Sequence, residues 1–389
     1  MVQQFNKDTD KEKVSLIIGA YRNEEGKPYV FNVVRKIEEE LFKERVNKEY
    51  LPLAGNEEFM EGAKKFVFGD DPKLLERVAT NQSLSGTGAL RIGAELLSIS
   101  MPKETKIYIS QPTWENHVAV FRDAGLVNQE FYPYYNPADN SLDFKGMMEV
   151  LGKAEPNSIV LLHGCAHNPT GIDPTKEQWK EIVELCKSKQ LLPFIDFAYQ
   201  GFATGDIEAD AFAVRLFAAE GLQFLVAESF AKNAGLYGER IGAIHVVCQD
   251  PDTANKVFTN MRVRNRAMFS NAPCHGAYIM NKIFKNPEYM KEWQEELKKV
   301  SGRIQKMRKL LFDELIALKT PGNWEHIINQ IGMFSFTGLT QDQCEHMIEK
   351  HHVYLLKNGR VSMAGINEHN VKKVANAIHD AVTSKPKPH

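Results

Sequence analysis

Between about residues 80 and 250 the chain alternates short apolar runs with longer amphipathic stretches. A short apolar run bounded by polar residues reads as a buried strand, and apolar positions recurring every three to four residues read as a helix. Lys106–Ile109, Ser158–His163, Leu192–Asp196, Gln223–Ala227 and Ala243–Val247 are therefore expected strands. Helices are expected at Lys176–Lys189, opened by Asp173-Pro174-Thr175, and at Asp210–Glu220. Strand and helix in repeated alternation predict an α/β domain with a mostly parallel sheet. After about residue 300 the texture changes. A long helical pattern at Lys291–Lys319 leads to an apolar Met333–Phe336, a helix near Gln341–His351, an apolar run from Tyr354, and a last helix from Glu368 to about Ser384. This predicts a smaller α+β domain. We assign residues 27–299 to the large domain and 1–26 with 300–389 to the small one, although pattern alone leaves 1–26 open.

Composition narrows the picture. The 389 residues carry 48 Lys+Arg against 50 Asp+Glu, a formal net charge of −2, so no general basic surface for nucleic acid or membrane is expected. No stretch approaches the roughly 20 apolar residues of a membrane span. The five cysteines are scattered without a Cys-x-x-Cys pair, which argues against a disulfide framework or structural zinc and for a reducing compartment. No metal site is read from the sequence. The N-terminus has no apolar leader or transit pattern, and a cytoplasmic protein is expected. The final SKPKPH is expected to be a frayed tail.

Candidate chemistry collects where strands end. In open parallel sheets, ligands gather beyond the carboxyl ends of the strands. Ser158–His163 runs into Ala166-His-Asn168-Pro-Thr-Gly171, Leu192–Ile195 into Asp196 and Tyr199, and Gln223–Ala227 into Ser229 and Lys232, with Arg240 shortly after. Each taken alone is ordinary: a solvated lysine, a turn aspartate, a turn Asn-Pro. Together they supply an amine, a carboxylate, a phenol and a cation to one place. Ser83–Arg91 opens a helix with small residues, where free N–H groups and the Ser85 and Thr87 hydroxyls make an anion seat. It lacks the third glycine of a dinucleotide fingerprint and the Gly-Lys-Ser/Thr of a Walker A loop.

Ser229-Phe-Ala-Lys232-Asn-Ala-Gly-Leu-Tyr-Gly-Glu-Arg240 strongly resembles the cofactor-lysine motif of the aspartate aminotransferase family, a class I, fold-type-I group dependent on pyridoxal phosphate. The likeness extends, in family order, through Ile18–Arg22, Tyr50-Leu-Pro, Gln82–Arg91, Pro112–His117, Ala166–Gly171, Asp196–Phe202, Ser270-Asn271, Gly332–Phe336 and Gly359–Gly365. It implies a seven-stranded-type sheet in the large domain. It also implies reversible amino transfer from L-aspartate to 2-oxoglutarate by a ping-pong mechanism, in a homodimer with shared active sites.

Residue roles follow from the resemblance. Lys232 carries the cofactor and then moves a proton; Asp196 faces the pyridine nitrogen, with His117 behind it; Tyr199 and Asn168 bond the phenolic oxygen. Ser85, Gly86, Thr87, Ser229 and Arg240 hold the phosphate, with Tyr50 reaching it from the partner, and Trp114 covers the ring. Arg360 takes the substrate α-carboxylate. Arg266 takes the distal carboxylate across the dimer, although a slipped alignment would give that role to Arg262 or Arg264. Gly19 lies over the substrate. The chain departs from the family at Ala231, where Ser is usual, at Ala234 in place of Phe, and at Ile17 in place of Gly. Two rival expectations are an aromatic-amino-acid aminotransferase of the same fold and a non-catalytic binding protein.

Overall fold

Seven strands form one sheet in the computed structural model, which describes residues 1–384. In chain order they are β1 (Val78–Leu84), β2 (Ile107–Gln111), β3 (Gln129–Pro133), β4 (Ile159–His163), β5 (Leu192–Phe197), β6 (Phe224–Ser229) and β7 (Ile241–Val247). They lie side by side as β1-β7-β6-β5-β4-β2-β3. Only β7 runs against its neighbours, pairing antiparallel with β1 and β6, while the remaining pairs are parallel. The expected mostly parallel sheet flanked by helices is the observed fold. Of the expected frayed tail, residues 385–389 lie outside the described residues.

The central strands are buried on both faces, which is why they read as unbroken apolar runs. Successive side chains alternate between two cores. Val160, Leu162, Ile195 and Phe197 enter one core; Ile159, Leu161 and Phe194 enter the other. Helix boundaries are set by local chemistry. Lys176–Lys189 and Gln341–His351 match their expected spans, and each begins with a capping box, Thr175 with Gln178 and Thr340 with Gln343. Each also ends in a left-handed residue, Gln190 and His352. A side-chain N-cap alone contributes about 1 kcal/mol.

Three expectations shift. The helix expected over Asp210–Glu220 is divided into Ile207–Asp210 and Phe212–Ala219. The Asp210 carboxylate is committed to the Gly201 amide at 2.8 Å and to the Thr204 hydroxyl at 2.7 Å, which anchors the chain at the break. The long helix starts a turn earlier, at Pro287–Ala317, because Asn286 caps the Glu288 amide and Pro287 suits the first turn. It runs unbroken through residue 300. Strands β1 and β3 were not expected: β1 is polar yet buried, and β3 is an edge strand with Phe131 exposed.

Val14–Ser15 pairs in parallel with Val353–Tyr354, and Phe334–Phe336 pairs antiparallel with Arg360–Ser362. Among the described residues no helix is long and apolar enough to cross a membrane.

Candidate active site

The reversed direction of β7 brings three distant segments to one spot. Its first residues lie at the edge of the sheet where β1 and β6 end: Ile241 pairs with Leu84, and Gly242 with both Ser83 and Ser229. Ser85, Ser229 and Arg240 therefore meet. The Ser85 and Ser229 hydroxyls are 2.8 Å apart. Gly242 is required here, since a Cβ would stand 2.4 Å from the Glu228 carbonyl oxygen and 2.8 Å from the Ser85 backbone. Ser85 opens the helix Ser85–Ser100, whose first amides are free for an anion. Gly86 keeps that seat open against Ser229, whose Cβ would lie 3.2 Å from an added Cβ.

These residues line a cavity of ≈ 250 Å³ together with Thr87, Trp114, Asn168, Asp196, Tyr199, Lys232, Arg360 and Gly19. Ala231, Leu90, Ala198 and Phe334, to which the sequence assigned no role, complete it. Lys232 lies in the connection between β6 and β7, its Nζ 5.0 Å from the centre of the Tyr199 ring. Its neighbour Asn233 is clamped: the Trp293 indole donates to the Asn233 carbonyl at 2.7 Å, and the Asn233 amide donates to the Gln200 carbonyl at 3.1 Å. Burial pulls the lysine amine below its ordinary pKa, opposed by Asp196 and aided by Arg240. Burial pushes the Tyr199 phenol upward, and the Asp196 charge adds to it. Burial would also raise Asp196, but the His117 hydrogen bond and the nearby Lys232 amine oppose it, and the carboxyl is held below its usual range.

Behind Asp196 runs a hydrogen-bonded relay whose direction can be worked out. The Asn168 backbone N–H donates to His163 Nδ1 at 3.2 Å, which leaves the His163 proton on Nε2. That N–H points to Thr113 Oγ1 at 3.3 Å, and the Thr113 hydroxyl donates to His117 Nδ1 at 2.8 Å. His117 Nε2–H then donates to Asp196 Oδ2 at 3.0 Å. Burial depresses His163 to about 3, so it stays neutral. Thr113 and His163 were not singled out from the sequence. Their signal was present, however, because both lie beside site residues, one in Pro112–His117 and one at the end of β4.

Arg360 leans over the Phe334 ring at 4.1 Å and donates to the Ile17 carbonyl at 3.0 Å. Its Nε is buried without a partner, as is Asn168 Oδ1. Buried polar atoms are seldom left so, and both suit a ligand with complementary groups. Phe334 is held from below by buried Arg308, which donates to the carbonyls of Gly332, Phe334 and Ile327. Gly19 lets Phe334 come near without crowding, since an added Cβ would stand a tight 3.1 Å from the ring.

Two expected site residues lie elsewhere on the subunit. Tyr50 is 82% exposed, and Arg266 is exposed at the end of the helix Pro251–Met268. They belong to one strip: Arg266 donates to Ser270 Oγ at 2.7 Å, Ser270 to Asn271, and Asn271 to the Leu51 carbonyl at 2.6 Å. Of the alternatives, Arg262 is exposed beside Phe258, and Arg264 has a buried Nε without a partner.

An amine, an ionised carboxylate, a phenol, an anion seat and a guanidinium in one cavity define a site for a phosphorylated cofactor and a carboxylate substrate. The chain belongs to the family Aminotransferase class I and II, whose description matches residues 11–378. It is 51% identical over 383 residues to the cytoplasmic aspartate aminotransferase of Oryza sativa subsp. japonica, covering 97% of this chain and 93% of that one. Among solved structures it is similar to the broad specificity aminotransferase of Leishmania mexicana, with TM-score 0.96 and 43% identity over 98% of this chain and 94% of that one. It is likewise similar to the aromatic-amino-acid aminotransferase of Burkholderia pseudomallei, covalently bound to pyridoxal phosphate, with TM-score 0.96 and 41% identity over 98% of this chain and 96% of that one.

Proposed function

We propose that the protein is a cytoplasmic, pyridoxal-phosphate-dependent aminotransferase that moves the amino group of L-aspartate to 2-oxoglutarate, giving oxaloacetate and L-glutamate. The observation that carries the reading is the convergence of Lys232, Asp196 and Arg360 on one cavity. The residues present fit the cofactor: Asn168 Oδ1 has no partner, so its side-chain amide is free to turn toward a ligand, and the hydroxyls and amides around Gly86 suit a phosphate. When bound, pyridoxal phosphate supplies an aldehyde for amine exchange and a ring that accepts electrons from the substrate carbon.

The chain's own residues do the rest. Ser85, Gly86, Thr87, Ser229 and Arg240 hold the phosphate. Asp196, kept ionised, favours a protonated ring nitrogen, and the His117 relay fixes its orientation without adding a buried charge at His163. The Tyr199 phenol, held neutral, donates toward the phenolic oxygen, as does the Asn168 amide. Trp114 packs on the ring and excludes water. Lys232, with its amine pKa lowered, would serve as the base that takes the proton from the substrate α-carbon and as the acid that delivers it to the cofactor carbon bearing the amino group. Arg360 grips the α-carboxylate through its planar fork.

Arg360→Lys keeps the charge but loses the fork. Kcat/KM for aspartate is expected to fall roughly 10- to 100-fold, the worth of one charged hydrogen bond. Steady-state kinetics with aspartate and phenylalanine test substrate class as well. A preference for phenylalanine in the unaltered enzyme would replace this reading with that of an aromatic aminotransferase. A protein that turns over neither, with cofactor bound, would leave only a binding role.

Tyr50 and Arg266 are proposed to act in the partner's cavity, which makes the active unit a homodimer. The exposed strip that carries them supports this, as do Val263 and Met268, apolar and exposed on the helix bearing Arg266. Mixing Lys232→Ala and Arg266→Ala subunits tests it. Each hybrid dimer keeps one intact site and one carrying both lesions, so random reassortment should recover about a quarter of normal activity from two inactive parents. No recovery, with hybrids present, refutes the shared site. Repeating the mixture with Arg264→Ala and Arg262→Ala assigns the arginine.

A further inference from the structure

His346, His351 and Asp380 lie outside the catalytic cavity, on the helices Gln341–His351 and Val371–Thr383. Residues five apart on a helix stand about 140° around its axis and roughly 7.5 Å along it, so these two histidines would ordinarily point apart. Here both turn to one atom: His346 Nε2 lies 2.7 Å and His351 Nε2 2.8 Å from Asp380 Oδ2. The possible ligand atoms all lie within 4.8 Å of one another. The side chains are 22%, 22% and 32% exposed, which leaves a path from solvent. Ser384 Oγ approaches the same His346 nitrogen at 3.4 Å.

The geometry points to a binding site for a late first-row divalent cation of the Zn²⁺ type, held by His346 Nε2, His351 Nε2 and Asp380 Oδ2, that staples the helices Gln341–His351 and Val371–Thr383 together. Two imidazoles and one carboxylate are a ligand set these ions prefer over Mg²⁺ or Ca²⁺. Tetrahedral bonds of about 2.1 Å put ligand atoms roughly 3.4 Å apart, so the N···O contacts would open by about 0.7 Å, within the reach of side-chain rotation. The fourth position would be water. Lys350 is the built-in competitor, its Nζ 2.8 Å from the same oxygen, but its side chain is 57% exposed and free to swing away. No sequence motif announces the site, because Asp380 is 29 and 34 residues from the two histidines.

Calorimetric titration of the holoenzyme with ZnCl₂, without amino acid substrates, tests the site. One ion per chain is expected, with binding weakened at least tenfold in His346→Ala, His351→Ala and Asp380→Asn. Lys350→Met should bind several-fold more tightly, a gain that a damaged fold cannot imitate. Zn²⁺ should raise the melting temperature of the unaltered protein and not of His351→Ala. With Cu²⁺ as probe, electron paramagnetic resonance should show two coordinated imidazole nitrogens, reduced to one in either histidine variant. Equal Zn²⁺ affinity in the histidine variants, or no tightening in Lys350→Met, overturns the proposal.

Discussion

Lys232→Ala is expected to lower turnover of aspartate by more than about 10⁴-fold, beyond the upper end of what loss of a general base alone costs. The lysine is asked to do two things, carry the cofactor and move the proton, and alanine removes both. Folding should survive, because the amine projects into the cavity from a backbone already clamped at Asn233 by Trp293 and Gln200. Two measurements separate the roles. Borohydride reduction followed by peptide mass analysis should fix cofactor on the Lys232 peptide of the normal enzyme and nowhere in the variant. Kinetics at saturating cofactor should still show the collapse in rate. A variant within tenfold of normal turnover would sink the assignment.

Asp196→Asn should reduce kcat by roughly 10³-fold with little change in fold. Removing one partner of a buried charge pair costs about 3–5 kcal/mol, and each 1.4 kcal/mol is a tenfold change in rate. Asparagine has the same shape, and its oxygen can still accept from His117 Nε2, so the relay through Thr113 and His163 stays in place. What is lost is the charge and, on the side away from His117, an acceptor replaced by an N–H donor. The check is a single-turnover experiment with aspartate on cofactor-saturated enzyme. A rate within tenfold of normal would mean that Asp196 positions the ring without stabilising its protonated form.

Much of this was legible in the chain. Capping boxes at Thr175 and Thr340 fix helix starts by contacts within four residues, so local reading found them. The doubly buried strands were visible as apolar runs. Strand β1 was not, because several of its polar side chains are satisfied by tertiary partners. Thr80 meets His245 at 2.9 Å, and the Gln82 amide donates to the Pro273 carbonyl at 2.8 Å. The site residues were found through motifs. The Thr113–His163 relay was missed because it links residues 50 apart whose roles depend on proton positions, not on residue type. The metal-type cluster at Asp380 was missed for a related reason: its members converge only after two helices pack.

The connection from β6 into β7 has a mechanical meaning for the lysine. With Ser229 fixed in the sheet and Asn233 clamped on both sides, the backbone at Lys232 is a rigid pivot. The amine then moves only as a swinging arm, over the reach of a flexible four-carbon stem. Its travel is a matter of rotamer changes within the cavity and needs no loop rearrangement. A proton carrier mounted in this way could serve both the substrate α-carbon and the cofactor carbon that receives the amino group without the protein around it having to move.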